Sequence, residues 1–325
     1  MELLYYLRDI RNPFLDSLFL FITQIGEEMF FLGIAILFFW CINKREGYFL
    51  LMTGLMGIII NQALKLALRI PRPAVIDLDF EPVEGASKEA KGYSFPSGHT
   101  QNAAGTLGVI GVSSKRRALK LVSLVLVLLV AFSRMYLGVH TIFDVAASLF
   151  IAALIVIILE PVFKDDESFH KYMPILAIVS TVMSAGLMIY AFALNEQYVD
   201  ISNLVSTKEN ASTILGCIIG LLIVYPIDRC CVNFKTGGKW YSQFIKLALG
   251  LAAVLILLRG LESPLEFIMP DVYSARVLRY LTVVLFVGII YPLSFSFYSK
   301  LRIKCLDRLT DKIKGLVRKN NTDMG

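Results

Sequence analysis

The sequence predicts an all-α fold, a polytopic membrane helix bundle of about nine transmembrane helices. Three observations lead there. Mean hydropathy is +0.66 and only 18% of residues are charged, where soluble domains carry roughly a quarter. Apolar runs of near-spanning length recur along the 325 residues, as membrane helices require. The segments between the runs hold the charges and prolines, and such backbone cannot lie in hydrocarbon. The net charge of +6 matters by its placement along the spans rather than as a sum. No nucleic-acid partner is expected.

Residues 14–25 are apolar but too short to span unaided. They are placed as an interfacial helix, after a start that mixes in Arg8, Asp9 and Arg11. No cleavable signal peptide is evident, because Glu2, Arg8 and Asp9 precede the first apolar run and no small-residue cleavage site follows. The first span is 29–42, with Glu27 and Glu28 read as markers of its interface, and the second is 47–68. Between them lie Lys44 and Arg45. A loop over 69–95 carries Pro71, Pro73 and Pro82. The third span, 97–112, is rich in Ala and Gly and suits close helix packing. A basic knot of Lys115, Arg116, Arg117 and Lys120 leads to spans at 121–137 and 141–159. The charged link 164–171 ends this half, and its His170 reads as a surface histidine.

Further spans are expected at 173–194, 213–227, 244–258 and 277–297, with links at 195–210, 228–242 and 259–276. This half shows no polar cluster comparable to that of the first. In the tail, residues 300–319 alternate basic side chains with Leu301, Cys305, Leu309, Ile313 and Leu316 at helical spacing. That pattern fits a surface helix on an anionic leaflet. Three domains follow: a membrane core with its interfacial helix (1–171), additional C-terminal transmembrane helices without an assigned role (172–299), and a basic amphipathic cytoplasmic tail (300–325). The five cysteines have neither metal-ligand nor disulfide-framework spacing.

Alternate links carry the basic excess: Lys44 and Arg45, the knot, Lys164 with Lys171, then Arg229, Lys235 and Lys239, and the tail. These links are expected to be cytoplasmic. The remaining polar residues of note then fall together on the extracytoplasmic side of a cell membrane.

Lys65 and Arg72 lie seven apart, so the sequence places them on one helical face at the end of the second span, with Arg69 nearby. Two adjacent cations repel unless an anion lies between them, and charge near membrane depth points to function. The alternative is a pair of snorkelling side chains. Pro96-Ser97-Gly98-His99 opens the third span. Ser97 can cap it, Gly98 lets a ligand approach the backbone, and the first N–H groups point outward as an anion site. Alone, this is an ordinary cap with a histidine. Arg134 ends the fourth span, and His140 precedes Asp144 by one turn, so the carboxylate can hold one imidazole nitrogen and aim the other. That makes His140 a candidate nucleophile; a structural His–Asp pair is the alternative. Three such clusters on one side of the membrane together favour a phosphate or related oxyanion site.

The pattern Lys65-x6-Arg72-Pro73, Pro96-Ser97-Gly98-His99 and Ser133-Arg134-x5-His140-x3-Asp144 resembles the three-part signature of the type 2 phosphatidic acid phosphatase superfamily. Every signature position holds the family residue. The resemblance implies that His140 attacks phosphorus and carries a phosphohistidine, oriented by Asp144. It implies that His99 protonates the leaving oxygen and then activates water. Lys65, Arg72 and Arg134 would hold the phosphate oxygens, with hydrogen bonds from Ser97 and from the Gly98 backbone. No metal and no cofactor is expected, since fixed cations and helix-end N–H groups supply the electrostatics. Two spans before the first motif and about nine in all look more like the glucose-6-phosphatase and sphingosine-1-phosphate phosphatase branches than the six-span members.

The expected activity is thus hydrolysis of a membrane lipid phosphate or diphosphate, the lipid reaching the site from the bilayer. A soluble sugar phosphate is the alternative substrate. A lipid or anion transporter is the alternative of another class, motivated by the extra spans and by intramembrane cations such as Arg279. Assembly as a homo-oligomer is left open.

Overall fold

In a computed structural model of the chain, residues 1–86, 92–194 and 200–301 are described. Among them are fourteen α-helices and no strand. Two helices, α1 (Glu2–Asp9) and α2 (Pro13–Thr23), open the chain. Asn12 starts α2 by accepting the Leu15 N–H at 3.0 Å, with Pro13 pre-set for the first turn. After a tight turn come α3 (Glu28–Leu37) and α4 (Lys44–Leu68). Asn43 caps α4 by accepting from Arg45 N at 3.0 Å.

A one-turn helix α5 (Pro73–Ile76) precedes α6 (Gly98–Ser113), α7 (Arg117–Tyr136) and α8 (Ile142–Phe163). The second half comprises α9 (Asp166–Ala193), α10 (Ile201–Ile227), α11 (Trp240–Gly260), α12 (Glu262–Ile268), α13 (Val272–Leu285) and α14 (Phe295–Lys300). Between α13 and α14 the last span passes through a π-helical turn and then a tight turn holding Pro292. Pro292 cannot donate to the helical ladder, which accounts for the break.

Seven helical segments among the described residues are long and apolar enough to cross a membrane. The segments Pro13–Gly26 and Glu28–Ile42, bent by 50° at their junction, make an eighth if they count as one span. The 16-residue α6 falls below that length yet lies at the centre, packed on α4, α7 and α8. The expected count of about nine is therefore roughly met.

Three links of the second half are shorter than the sequence indicates. α9 begins at Asp166, inside the expected 164–171 link, where Asp165 caps it. α10 begins at Ile201 rather than 213, and α13 at Val272 rather than 277, capped by Asp200 and Asp271. The added turns are polar, which lowered their apparent membrane character. They are helical because caps and burial against neighbours satisfy them. From residue 302 the basic tail lies outside the described residues.

The second half is clamped to the first. α10 packs along α9, α13 and α4. Its Gly216 and Gly220 allow the approach, since a Cβ at Gly216 would lie 2.4 Å from the Val277 carbonyl oxygen. At the end remote from His99 and His140, Lys44 pairs with Asp228 at 2.9 Å. There the fully buried Trp40 donates to the Val287 carbonyl at 2.9 Å, and Lys246 donates to the Trp40 carbonyl at 2.7 Å. His170 lies within α9 rather than in a link and is half-buried, its Nδ1 3.1 Å from the Tyr225 hydroxyl beside Phe169. Arg279 is buried and paired to Glu262 at 2.6 Å, so it is not an uncompensated intramembrane charge.

Candidate active site

The C-terminal ends of α4 and α7 and the N-terminal ends of α6 and α8 meet at one end of the bundle. Two caps fix the geometry. Ser97 starts α6, its hydroxyl accepting from Thr100 N at 3.4 Å and from Thr100 Oγ1 at 3.0 Å. Thr141 starts α8 through a reciprocal box: Asp144 N donates to Thr141 Oγ1 at 3.3 Å, and Thr141 N donates to Asp144 Oδ2 at 2.7 Å. The box holds the Asp144 carboxylate against the loop. The two helix starts are then tied together. Ser97 N donates to the Asp144 carbonyl at 3.3 Å, and Ser148 Oγ donates to the Ser97 carbonyl at 2.9 Å.

His140 and Asp144 are each 2% exposed, with Nδ1 and Oδ2 3.6 Å apart. Ser94 lies between them. Its hydroxyl donates to Asp144 Oδ2 at 2.7 Å and sits 3.4 Å from His140 Nδ1. On the other edge of the ring, Arg72 Nη1 approaches Nε2 at 3.3 Å. A guanidinium only donates, so this contact fits the tautomer with the ring proton on Nδ1. In that tautomer the imidazole is neutral, with the Nε2 lone pair turned away from Asp144. Burial, and then the nearby Arg72, Arg134 and Lys65, hold the His140 pKa well below its usual 6.5, against the opposing pull of Asp144.

The cations are placed by backbone carbonyls. Lys65 Nζ donates to Tyr93 O. Arg72 donates to Gly92 O at 2.9 Å and to Val139 O at 3.1 Å. Arg134 is fully buried and donates to Thr23 Oγ1 at 2.7 Å. Lys65 and Arg72 do not share a helical face, as their spacing implies. α4 ends at Leu68, and Arg69 adopts the left-handed conformation (φ 51°) that closes it. Arg72 reaches the site from the following loop, as the residue preceding α5. Arg69 folds back, donating from Nε to Leu66 O at 2.9 Å.

His99, His140, Lys65, Arg72, Arg134 and Gly98 all line one cavity of about 390 Å³. Asp144 and Ser97 stand behind its wall. The Ser97 hydroxyl is engaged within its own helix, so its place is to build the site rather than to face it. Gly98 begins α6, where the first N–H groups have no intrahelical acceptor and can meet an anion. On the wall itself, Asn61 donates to Pro96 O at 3.2 Å and to Gln101 Oε1 at 2.9 Å, locking α4 to α6.

Several contributors were not legible as site residues. Thr141 had a signal, the Thr-x-x-Asp spacing of a capping box. Ser94 and Ser148 had none, because nothing in their neighbourhood repeats. Gly26 touches His99: a Cβ there would lie 2.6 Å from the His99 carbonyl oxygen. Glu27 and Glu28, which the sequence assigns to the interface, line the cavity instead. So do Ser206, Glu209, Asn210 and Thr213 of α10 and Arg276 and Tyr280 of α13. The second half thus forms one wall of the site. Among the described residues, no three His, Cys, Asp or Glu side chains gather where they could hold a metal ion.

Comparison with known proteins accords with this arrangement. Residues 45–167 match the profile described as PAP2 superfamily, and residues 212–302 match that of a PAP2 superfamily phosphatase transmembrane extension. Phosphatidylglycerophosphatase B of Bacillus subtilis (strain 168) is 30% identical over 149 residues, 42% of this chain and 69% of that protein. The chain belongs to the PAP2 superfamily. Within that superfamily it is also similar to mouse sphingosine-1-phosphate phosphatase 2, 24% identical over 227 residues, 68% of this chain and 61% of that protein. The chain therefore spans less than two thirds of this mouse relative. Dihydrosphingosine 1-phosphate phosphatase C823.11 of Schizosaccharomyces pombe is 24% identical over 298 residues, 86% of this chain and 70% of that protein.

Proposed function

We propose that the chain is a metal-independent phosphatase of a lipid phosphate or diphosphate, working through a phosphohistidine at the extracytoplasmic face of its membrane. One observation carries the proposal. His140 is neutral and oriented, with Nδ1 toward Ser94 and Asp144 and Nε2 toward Arg72, in a cavity it shares with His99, Lys65 and Arg134. This is an activated nucleophile facing an anion site.

In the first step the His140 Nε2 lone pair attacks phosphorus as the bond to the leaving oxygen breaks. His99 gives its proton to that oxygen. Arg72 leaves Nε2 for the phosphoryl oxygens, which Lys65, Arg134 and the Gly98 N–H also hold. Asp144, with its accepted hydrogen bonds, offsets the positive charge that develops on the His140 ring. In the second step His99, now neutral, takes a proton from water. The hydroxyl attacks phosphorus, the P–N bond breaks, and phosphate departs. Both steps place charge where fixed cations already stand.

The relatives' names support a lipid substrate: sphingosine-1-phosphate for the mouse protein, phosphatidylglycerophosphate for a bacterial one. The extracytoplasmic side rests on charge, since the basic links Lys44–Arg45, Lys115–Lys120 and Lys164–Lys171 lie at the opposite end from His99 and His140. An impermeant phosphate substrate added to intact cells tests it; turnover that begins only on lysis would reverse the orientation.

The chemistry is tested by phosphate release from sphingosine 1-phosphate, phosphatidate, phosphatidylglycerophosphate, undecaprenyl diphosphate and glucose 6-phosphate, in excess EDTA. Lipid turnover should persist in EDTA and fall on the order of 10⁴-fold or more in His140→Ala, as for loss of a nucleophile. Undiminished release by that variant removes His140 from the mechanism, and turnover of the sugar phosphate alone removes the lipid.

A further inference from the structure

The catalytic cavity does not end at the polar residues. A second cavity of about 360 Å³ adjoins it, and the two share Glu28, Met29, Ile58, Asn210, Thr213 and Tyr280 as wall. Beyond that collar the lining is almost wholly apolar. It includes Phe31 and Ile36 of α3, Leu51 and Leu55 of α4, Leu221 and Val224 of α10, Val254 of α11 and Val283 of α13. The first half of the chain supplies one side and the transmembrane extension the other.

Its shape is that of a channel. Along α10 the lining runs from Asn210 to Val224, about 21 Å at 1.5 Å per residue. Its volume of about 360 Å³ and its apolar lining suit hydrocarbon rather than a polar group. The channel starts at the phosphate-binding end and runs toward the Trp40 end, so a molecule with its phosphate among Lys65, Arg72 and Arg134 would have its hydrocarbon directed into it.

The geometry points to a chain-binding site: the apolar channel between α3–α4 and the transmembrane extension holds hydrocarbon of the phosphorylated substrate. This rests on the phosphatase reading above and names what that reading left open, the substrate's tail and the work of the second half. The occupant is the substrate's own chain rather than a bilayer lipid because the channel is continuous with the phosphate site. The polar collar, with Asn210 of α10 and with Thr213 and Tyr280 from the extension, marks the boundary between head group and tail. The extension then selects substrates by tail, while the motifs of the first half perform the reaction.

Gly33 offers a direct test. It lies on the channel wall, and a Cβ there would meet nothing within 4 Å. That open space at Cβ lets Gly33→Phe add bulk at the channel wall. Full-length protein in one detergent is assayed with dodecyl phosphate and with p-nitrophenyl phosphate, which has no alkyl chain. The ratio of their kcat/KM values should fall at least tenfold in Gly33→Phe, and partition into detergent cancels between parent and variant. A ratio within threefold of the parent's overturns the chain site and leaves the phosphatase reading intact.

Occupancy is read apart from turnover at Cys217, which lines the same channel. Dodecylphosphonate should slow N-ethylmaleimide labelling of Cys217, followed by peptide mass spectrometry, and methylphosphonate should not. Equal labelling with both phosphonates also overturns the proposal. Protection in a protein that hydrolyses neither phosphate would sustain the chain site and sink the phosphatase reading.

Discussion

Removing the Ser94 hydroxyl tests how the nucleophile is held. Ser94 is fully buried, its hydroxyl 2.7 Å from Asp144 Oδ2 and 3.4 Å from His140 Nδ1, while the direct His140–Asp144 contact is a long 3.6 Å. The hydroxyl therefore bridges ring and carboxylate: it can accept from the Nδ1–H while donating to the anion. In Ser94→Ala, Asp144 keeps its bond from Thr141 N but loses this one. A hydrogen bond to a charged group contributes about 1.5–3 kcal/mol. Expressed wholly in the transition state, that is roughly a 10- to 150-fold loss in kcat/KM. Lys65, Arg72 and Arg134, the proposed phosphate holders, are untouched, so the loss should appear in kcat, with KM within about twofold of the parent. A purely structural role would not depend on the charge of Asp144. The same substitution in an Asp144→Asn background should accordingly cost much less, a non-additivity of the kind expected for residues in one network. A loss below threefold, or an equal loss in both backgrounds, would refute the bridge.

Two other outcomes follow from particular contacts. Gly26→Ala places a Cβ 2.6 Å from the His99 carbonyl oxygen and 2.9 Å from its Cβ, so His99 must move. A displacement near 1 Å at a reacting group costs on the order of 10²-fold, read as kcat at a melting temperature close to the parent's; parent-like kcat would show that His99 tolerates the shift. The lowered pKa of His140 predicts a pH profile of kcat/KM with no loss of nucleophile near 6.5, after division by the substrate's own ionisation near pH 6. An inflection of the free enzyme at or above 6.5 would contradict it. The same shift acts on stability. From 6.5 down to the folded-state pKa the unfolded chain binds the extra proton, so this contribution is complete above 6.5 and is lost as pH falls through that window. Thermal melting at descending pH reads it, and melting temperatures that rise on acidification would have the wrong sign.

Much of the site was legible because its chemistry is local. His140 and Asp144 are one turn apart, so their pairing could be read from spacing. Ser97 is a cap by residue type. Lys65, Arg72, Arg134, His99 and His140 are expensive at membrane depth, which is why their positions drew notice. The spacing of Lys65 and Arg72 misled in one respect, since a left-handed Arg69 ends the helix between them and only the loop returns Arg72 to the ring. Polar residues of the second half misled in the opposite direction. Ser206, Glu209 and Asn210 read as a link because hydropathy assumes that membrane helices face lipid. Here those turns face a polar cavity, and the helix runs through them.

The chain's own order of residues determined the helical architecture, the caps, and the side chains able to handle a phosphoryl group. These depend on composition and on neighbours within a turn or two. Tertiary structure alone decided that Ser94 joins His140 to Asp144, that Gly26 abuts His99, and that α10 and α13 close the cavity and extend it into an apolar channel. Those contacts span from about fifty to more than two hundred residues of sequence, and no periodicity encodes which distant surfaces will meet; packing against particular neighbours does.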